Sequence, residues 1–141
     1  MNAYLLDLNV LLALSWPDHQ FHDRVQRWFR RYGAKAWATC PMVQAGFVRI
    51  LSNPSFSRRA VSPQEAVAAL AINLQHPGHQ FWPDDLSLVV GLGKLEYQIV
   101  GHNQVTDAYL LALAIHHRGK LATLDQGIAN WGTSGAVEVV G

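Results

Sequence analysis

The sequence predicts an α/β fold in which helices cover both faces of a parallel sheet. Two observations support this prediction. Short apolar segments typical of buried strands alternate with longer segments of helical periodicity, and several of the strand segments are uniformly apolar. The chain has 141 residues, of which 50% are hydrophobic and 15% charged, without a repeat or a low-complexity tract. This composition excludes a disordered or fibrous protein and predicts a single domain over residues 1–141.

The first segments predict one strand and one helix. Residues 3–14 are almost entirely apolar, and the first half of this run is predicted to be a buried strand that ends at Asp7. Asp18 is predicted to be the N-cap of a helix that Gly33 ends. Arginines occupy the solvent face of this helix.

The next segments predict a second strand and two helices. The strand is predicted at residues 36–39 and the first of the helices at 41–51, where apolar residues recur on one side. Residues 52–61 are predicted to be a loop. Ser62 and Glu65 have the spacing of a capping box, with a proline at the first helical position, which predicts the start of the other helix.

The last third of the chain predicts three strands and two helices. A third strand is predicted at residues 80–82, and a helix from Pro83 to about Tyr97. Residues 103–118 predict a mostly buried helix, because the segment is nearly all apolar, with Gly119 as its stop. Two further strands are predicted at residues 121–124 and 136–140.

Charge, cysteine content and hydropathy limit the possible classes of protein. No apolar run approaches the roughly 20 residues of a membrane span and no basic leader is present, so we expect a cytoplasmic protein. The single cysteine, Cys40, cannot form an internal disulfide, which agrees with a reducing compartment. The net charge of +1 does not by itself require a nucleic-acid partner.

Three aspartates interrupt apolar sequence: Asp7, Asp107 and Asp125. Burying an ionised carboxylate costs several kcal/mol unless it is paired or binds a metal, and no lysine or arginine adjoins these residues. The C-terminal ends of parallel strands face one crevice, so Asp7 and Asp125 are predicted to meet there. Asp107, near the start of a helix, could face the same crevice.

Carboxylate ligands without histidine or cysteine at metal spacing favour Mg²⁺ or Mn²⁺ over zinc. With a phosphodiester as substrate, a metal-bound water can act as the nucleophile, so the residues predict phosphodiester hydrolysis. A structural interpretation stays open for each acid. Asp125 can cap a turn, and Asp107 can stabilise the positive end of a helix. Asp7 lies in the most apolar stretch, where a purely structural role is harder to justify.

Motifs in four regions follow one another along nearly the whole chain, at residues 6–14, 37–49, 104–110 and 121–125. Together they resemble the PIN domain, and more closely the VapC ribonuclease toxins of bacterial toxin–antitoxin pairs. The resemblance implies a doubly wound sheet of order 3-2-1-4-5, a homodimer, and RNA cleavage that depends on Mg²⁺ or Mn²⁺. It also implies a cognate VapB-type antitoxin as partner.

By the matching motifs, Asp7, Asp107 and Asp125 would be the catalytic and metal-binding acids of the family. Hydrogen bonds from Asn9 or Thr106 would support the site. PIN domains usually carry a glutamate on the helix after the second strand, whereas residues 41–51 contain no acid.

Gln44 is the nearest isostere of that glutamate and could coordinate a metal or orient a water. It could equally be a solvated helix residue. The loss of one negative charge could weaken metal binding, leave a one-ion site or mark a degenerate enzyme.

Arginine and tryptophan side chains are candidates for RNA contact. Arg49, Arg58 and Arg59 are predicted to bind phosphates, because the guanidinium offers a planar fork of donors. Arginines earlier in the chain are predicted to be solvated. Tryptophans could stack on unpaired bases, although core positions are more common for them; the three considered are Trp16, Trp82 and Trp131.

Histidine catalysis is not expected, although the chain has seven histidines. Neither His19 with His22 nor His116 with His117 adjoins a carboxylate motif that would complete a zinc site, and a helix C-terminus explains the second pair. His102, shortly before Asp107, is the one histidine worth testing.

The leading functional prediction is a metal-dependent endoribonuclease toxin. An alternative is a degenerate PIN domain that binds RNA or a protein without cleavage. A third interpretation is a phosphatase or phosphorelay domain with a strand-end aspartate as phosphoryl acceptor. Asp7-Leu8-Asn9 lacks the second aspartate that the haloacid-dehalogenase-type pattern requires, which argues against this third interpretation.

Overall fold

The computed structural model describes residues 2–56, 58–95, 99, 101–131 and 135–141. Within them, five strands form one parallel sheet in the order β3-β2-β1-β4-β5. The strands are β1 (Tyr4–Leu6), β2 (Trp37–Thr39), β3 (His79–Phe81), β4 (Lys120–Thr123) and β5 (Val137–Val139). The strand order reverses beside β1, which confirms the predicted doubly wound topology.

The centre of the sheet is its most apolar part. Leu5 of β1 pairs with Ala38 of β2 on one side and with Leu121 of β4 on the other, and all three side chains are fully buried. A strand buried on both faces needs apolar residues at successive positions, which explains why these segments lack polar alternation.

In the part of the chain that the structure describes, six α-helices pack around this sheet. They are α1 (Leu8–Ser15), α2 (His22–Trp28), α3 (Pro41–Leu51), α4 (Pro63–Asn73), α5 (Leu88–Gly93) and α6 (Val105–His116). Contacts group α1 with α2 and α3, α3 with α4, and α5 with α6. Because connections between parallel strands are right-handed, helices α1 to α4 cover one face of the sheet and helices α5 and α6 cover the other, as predicted. Among the described residues, no helix is both long and apolar enough to span a bilayer.

Two helix boundaries match the sequence prediction closely. Helix α3 has the predicted bounds, with Pro41 in its first turn. The capping box before α4 is complete: Ser62 Oγ accepts from the Glu65 amide, and Glu65 Oε1 accepts from the Ser62 amide, both at 3.1 Å. A proline at the first helical position favours the start of α3, and the capping box fixes the start of α4, so the local sequence identifies both.

The N-terminal third departs from the prediction in two places. The second half of the apolar opening run forms α1, which the pattern did not assign. Asp18 does not cap α2; the N-cap is Phe21, which makes no side-chain capping bond. The helix then continues through a π-helical turn at Phe29–Gly33, so its end at Gly33 is confirmed.

The segment after β3 does not begin a helix at Pro83, as predicted. Helix α5 starts later, with Ser87 as its N-cap. Contacts with α6 hold the preceding residues instead: Trp82 stacks on His117 at 4.5 Å between ring centroids, and Tyr109 Oη donates to the Leu86 carbonyl at 2.9 Å. Tertiary contacts thus override local helix propensity. The predicted end at 97 lies outside the described residues.

Helix α6 is buried from residue 108 to 114, as predicted. Gly119 does not end it by adopting a left-handed conformation; Arg118 does so, with φ of 60°. The amides of Arg118 and Gly119 bond back to the Ile115 and Ala114 carbonyls. Gly119 serves a different purpose, because a Cβ there would meet the Ala3 carbonyl oxygen and the Trp82 ring.

Candidate active site

Asp7 lies where β1 passes directly into α1. Its backbone amide donates to the Ala122 carbonyl of β4 at 3.0 Å, and its Oδ1 accepts from the Val10 amide at 2.9 Å as the N-cap of the helix. The side chain is only 6% exposed. Sheet and helix hydrogen bonds therefore both hold this carboxylate in place, at the C-terminal edge of the central strand.

The other two aspartates come from the elements beside it. Asp107 is half-buried in the first turn of α6. Asp125 follows β4 and is exposed, and its Oδ1 accepts from the Gly127 amide at 2.8 Å, so it also caps a 3-10 turn. Asp125 therefore caps a turn, as the structural interpretation proposed. This cap uses Oδ1, so the second carboxylate oxygen is available to a ligand.

The charges of the three aspartates act on one another, so we call Asp7, Asp107 and Asp125 the acidic cluster. Burial, and then the charges of Asp107 and Asp125, raise the pKa of Asp7 to about 6, although hydrogen bonds from Thr123 and Val10 oppose this shift. Burial and the charge of Asp125 likewise raise the pKa of Asp107. The fold thus brings together acids that are far apart in sequence, at an electrostatic cost.

The spacing within the acidic cluster is wide. Three side chains that can bind a metal have all their ligand atoms within 4.8 Å of one another in the described residues, and they are Asp85, His116 and His117. The acidic cluster does not meet this criterion. Mg²⁺ usually keeps several waters and takes one or two carboxylates directly. The acidic cluster therefore fits a partly hydrated ion better than one held by all three acids.

Thr123 links two members of the acidic cluster, which sequence reasoning did not predict. Its fully buried side chain hydrogen-bonds to the Asp7 carboxylate, and its Oγ1 accepts from the Asp125 amide at 3.0 Å. The available signal was a hydroxyl residue directly after two apolar residues, Leu121 and Ala122, at the end of β4. A buried hydroxyl needs a partner, and here the partners are the site acids.

Asn9 and Thr106, predicted to support the site, lie beside its acids in sequence and are both exposed. Asn9 lines a cleft of about 350 Å³ together with Leu124 and Asp125. Thr106 is in the first turn of α6, next to Asp107. Their supporting roles stay predictions.

Gln44, at the position closest to the expected glutamate, is half-buried on α3. Its Nε2 donates to Thr39 Oγ1 at 3.0 Å, and that hydroxyl is 2.8 Å from His79 Nε2. Burial, followed by the charge of His76, lowers the pKa of His79. The amide nitrogen of Gln44 is thus engaged, and its carbonyl oxygen is the atom that could contact a ligand.

The three arginines predicted to contact RNA are all exposed. Arg49 is near the C-terminal end of α3, and the other two are in the loop between α3 and α4. Arg59 forms an ion pair with Asp18 at 3.5 Å, in which both side chains are mainly solvated. Such a pair contributes little to stability and leaves the loop cationic overall.

The expectation that no carboxylate accompanies His116 and His117 is wrong. Asp85 Oδ1 lies 2.9 Å from His117 Nε2 and 3.6 Å from His116 Nε2. The segment after β3 brings Asp85 to the end of α6, a contact that sequence spacing does not reveal. Trp82 is buried, and its stacking on His117 favours the core interpretation for this ring.

Two sequence comparisons relate this chain to known proteins. The PIN domain family model matches residues 4–132. Ribonuclease VapC39 of Mycobacterium tuberculosis is 44% identical over 136 residues, which span 96% of this chain and 98% of that protein. Ribonuclease VapC38 of the same organism is 43% identical over 124 residues, which span 88% of this chain and 86% of that one.

Solved structures share the fold at lower sequence identity. Mycobacterium tuberculosis VapC20, described as a Sarcin-Ricin loop cleaving toxin, matches with a TM-score of 0.63 and 17% identity over 92% of this chain and 97% of its own. VapBC2 from Rickettsia felis, solved with a DNA fragment from its promoter, matches with a TM-score of 0.58 and 16% identity over 89% of this chain and 90% of its own.

Proposed function

The chain belongs to the PIN domain family, in its VapC-type group, and on that premise we propose that it is an endoribonuclease acting as the toxin of a toxin–antitoxin pair. Relatives called ribonuclease VapC match it over nearly its whole length, which supports RNA as the substrate. The observation that carries the proposal is the convergence of Asp7, Asp107 and Asp125: burial, and then the charges of the other two acids, raise the pKa of Asp7 to about 6.

The acidic cluster fits a divalent cation. A bound cation would reduce the repulsion between the carboxylates, which contributes to the raised pKa of Asp7 and Asp107. All three ligands are hard oxygen donors, which favours Mg²⁺ or Mn²⁺. Asp7 and Asp107 are the strongest ligand candidates. When bound, the ion would supply charge stabilisation at the phosphoryl group and lower the pKa of a coordinated water.

Residues around the acidic cluster orient its carboxylates and would orient the substrate. The Val10 amide and the Thr123 hydroxyl hold the Asp7 carboxylate in one orientation, so Asp7 needs little rearrangement when it binds a ligand. Asp125 and Asn9 border the open cleft beside it, where they would orient the attacking water and a phosphate oxygen. Gln44 would contribute its carbonyl oxygen in place of the missing carboxylate.

Contact with RNA would come from the cationic surface. We propose that Arg49, Arg58 and Arg59 bind phosphates on either side of the scissile bond, because all three guanidinium groups are exposed. An endoribonuclease toxin needs access to cellular RNA, so we place its action in the cytoplasm. A VapB-type antitoxin is the proposed inhibitor and a homodimer the proposed assembly; VapBC2, which shares the fold, supports the former.

The direct test is metal-dependent cleavage of RNA by the purified chain. We expect end-labelled RNA to be cut when Mn²⁺ or Mg²⁺ is present and to stay intact with excess chelator. The Asp107→Asn variant should fold normally and cut at least about 100-fold more slowly. Cleavage that continues unchanged in the chelator, or in a folded Asp107→Asn protein, would contradict the proposal.

A second candidate function is binding without cleavage, which one observation favours. Helix α3 carries Gln44 and no acid, so the site has one negative charge fewer than is usual in the family. The same assay separates the two functions. RNA that is retained in a filter-binding experiment but never cut, at any Mn²⁺ concentration, would establish the binding module.

A further inference from the structure

A second group of metal-ligating side chains lies at the opposite end of α6 from Asp107. It consists of Asp85, His116 and His117, here called the Asp-His cluster. Asp107 and His116 are nine residues apart on one continuous helix, which corresponds to a rise of about 14 Å. The Asp-His cluster is therefore separate from the acidic cluster, and nothing in the proposed ribonuclease mechanism uses it.

The ligand atoms of the Asp-His cluster have nearly the spacing of a metal site. Bonds of about 2.1 Å in tetrahedral geometry place neighbouring ligand atoms about 3.4 Å apart. Asp85 Oδ1 is 3.6 Å from His116 Nε2 and 2.9 Å from His117 Nε2, and all three ligand atoms lie within 4.8 Å of one another. Changes in these separations of at most about 1.4 Å would complete the arrangement.

The backbone at the end of α6 explains how two adjacent histidines reach one carboxylate. Neighbouring residues within a helix do not face each other. His116 is the last helical residue, whereas His117 is the C-cap with φ of −89° and ψ of 9°, so its side chain leaves the helix in a different direction. The ring planes consequently meet at 86° with centroids 5.2 Å apart, and both Nε2 atoms approach Asp85.

The surroundings hold two of the three ligands in place. The Trp82 ring, 6% exposed, stacks on His117 at an interplanar angle of 14° and limits rotation of the imidazole. Asp85 is three residues beyond Trp82, on a segment that the Tyr109 hydroxyl also ties to α6 through the Leu86 carbonyl. The Asp-His cluster is thus partly organised in the absence of a ligand, which lowers the entropic cost of binding.

We propose that the Asp-His cluster is a binding site for a transition-metal ion of the Zn²⁺ class. Two imidazoles and one carboxylate favour Zn²⁺ over Mg²⁺, which requires oxygen ligands. Zn²⁺ would replace the proton between His117 and Asp85 and take His116 as its third protein ligand. The remaining position faces solvent, because all three side chains are partly exposed, and a water or an external ligand would occupy it.

Binding would join two parts of the chain. Asp85 belongs to the segment between β3 and α5, whereas the histidines end α6 just before β4. A bound ion would fix this segment to the helix, so Zn²⁺ should raise the thermal unfolding temperature. The proposal does not depend on RNA cleavage.

The test is zinc titration of the intact chain, purified without a histidine tag, at pH 7.5 in millimolar Mg²⁺. Mg²⁺ competes with Zn²⁺ for oxygen sites, and the variants below identify which side chains bind the Zn²⁺ that calorimetry measures. We expect one equivalent to bind. His116→Ala and Asp85→Asn should each weaken binding at least tenfold and remove most of the zinc-induced rise in unfolding temperature. His102→Ala, a matched change of another exposed histidine, should leave both readouts unchanged.

Two results would overturn the proposal. One is a wild-type chain that binds no Zn²⁺ more tightly than the His116→Ala variant does. The other is Zn²⁺ binding that persists in His116→Ala and Asp85→Asn but disappears in Asp7→Asn, because it would locate the ion at the acidic cluster. Circular dichroism of each variant, recorded without metal, verifies folding. Asp85 and His116 are exposed enough to be substituted without disturbing the core.

Discussion

The two ends of α6 carry opposite kinds of electrostatics. At its N-terminal end, Asp107 adds a negative charge to those of Asp7 and Asp125, and burial, followed by these charges, raises the pKa of Asp7 to about 6. At its C-terminal end, Asp85 faces two histidines. Desolvation acts to raise the pKa of Asp85, but the hydrogen bond and charge of His117 outweigh it and lower this pKa below its ordinary value. One end is electrostatically strained and the other is relaxed.

This difference separates function from stability. A cluster of like charges that is held by Thr123 and by a helix N-terminus destabilises the fold, which is typical of sites kept for chemistry. The Asp-His cluster makes favourable contacts, but on an exposed surface where ion pairs contribute little. Substitutions at the N-terminal end should therefore change activity strongly, and substitutions at the C-terminal end should change it very little.

The largest expected effect comes from Asp7→Asn. We expect RNA cleavage to fall by roughly 10²–10³-fold, because the substitution removes a buried ligand and its charge. Folding should survive, since asparagine caps a helix as well as aspartate does and keeps the bond from the Val10 amide. Single-turnover cleavage rates measure the effect, and circular dichroism tests the fold.

His116→Ala is the matched substitution at the other end of α6. Cleavage by this variant should stay within about twofold of the wild type, since His116 is remote from the acidic cluster. Equal losses of activity in Asp7→Asn and His116→Ala would show that the two ends are not functionally distinct.

The pH dependence of stability should expose the strain directly. The Asp7 carboxyl has a pKa of about 6 in the native protein, against an ordinary value of 3.8. Between these two pH values, the native carboxyl keeps a proton that the unfolded chain has released. The free energy of unfolding should therefore fall as the pH rises from about 4 to 6, by up to about 3 kcal/mol from this group. Urea denaturation of metal-free protein measures it. Asp7→Asn should lack this decrease; the same pH profile in both proteins would contradict it.

Thr123→Val should have an intermediate effect. Valine has nearly the same shape but donates nothing to Asp7 and accepts nothing from the Asp125 amide. We expect cleavage to decrease about 10–100-fold and the fold to lose about 1–3 kcal/mol. Thr123→Ser restores the hydroxyl and should recover most of the activity. A Thr123→Ser protein as slow as Thr123→Val would point to packing rather than hydrogen bonding.

The smallest effect is expected from Arg118→Gly. Arg118 adopts a left-handed backbone conformation that costs a side-chain-bearing residue about 1 kcal/mol, and glycine adopts it freely. The variant should be more stable by about 0.5–1 kcal/mol, measured as a rise of a few degrees in unfolding temperature. Arg118→Ala is the control and should give no such gain. Equal stabilisation by alanine would assign the effect to loss of charge.

Much of the fold is predictable because its determinants are local. The apolar run at residues 3–6 identifies the central strand β1, and the capping box at Ser62 and Glu65 identifies the start of α4. The start of α5 is not predictable in this way. Pro83-Asp84-Asp85 has good helix-start chemistry, but packing of Trp82 and hydrogen bonding of Leu86 to α6 hold that segment in another conformation. Such contacts are formed only in the folded chain.

A residue of the candidate site can be predicted from sequence when its type is unusual for the segment in which it lies. A carboxylate within an apolar run is anomalous, so the sequence alone is enough to propose the acidic cluster. Thr123 and Asp85 are not anomalous. A threonine suits a strand and an aspartate suits a loop, so their roles depend on partners that only the topology brings near.

The lengths of the elements have a consequence for how this domain can change. Helix α6 has 12 residues and spans about 18 Å, whereas β4, against which it packs, has 4 residues and spans about 13 Å. The helix thus overhangs the sheet. Residues on the turns that extend past the sheet can be substituted without repacking the interior. The chemistry at one end of α6 can therefore change among relatives while the other end of the helix, and the core between them, is retained.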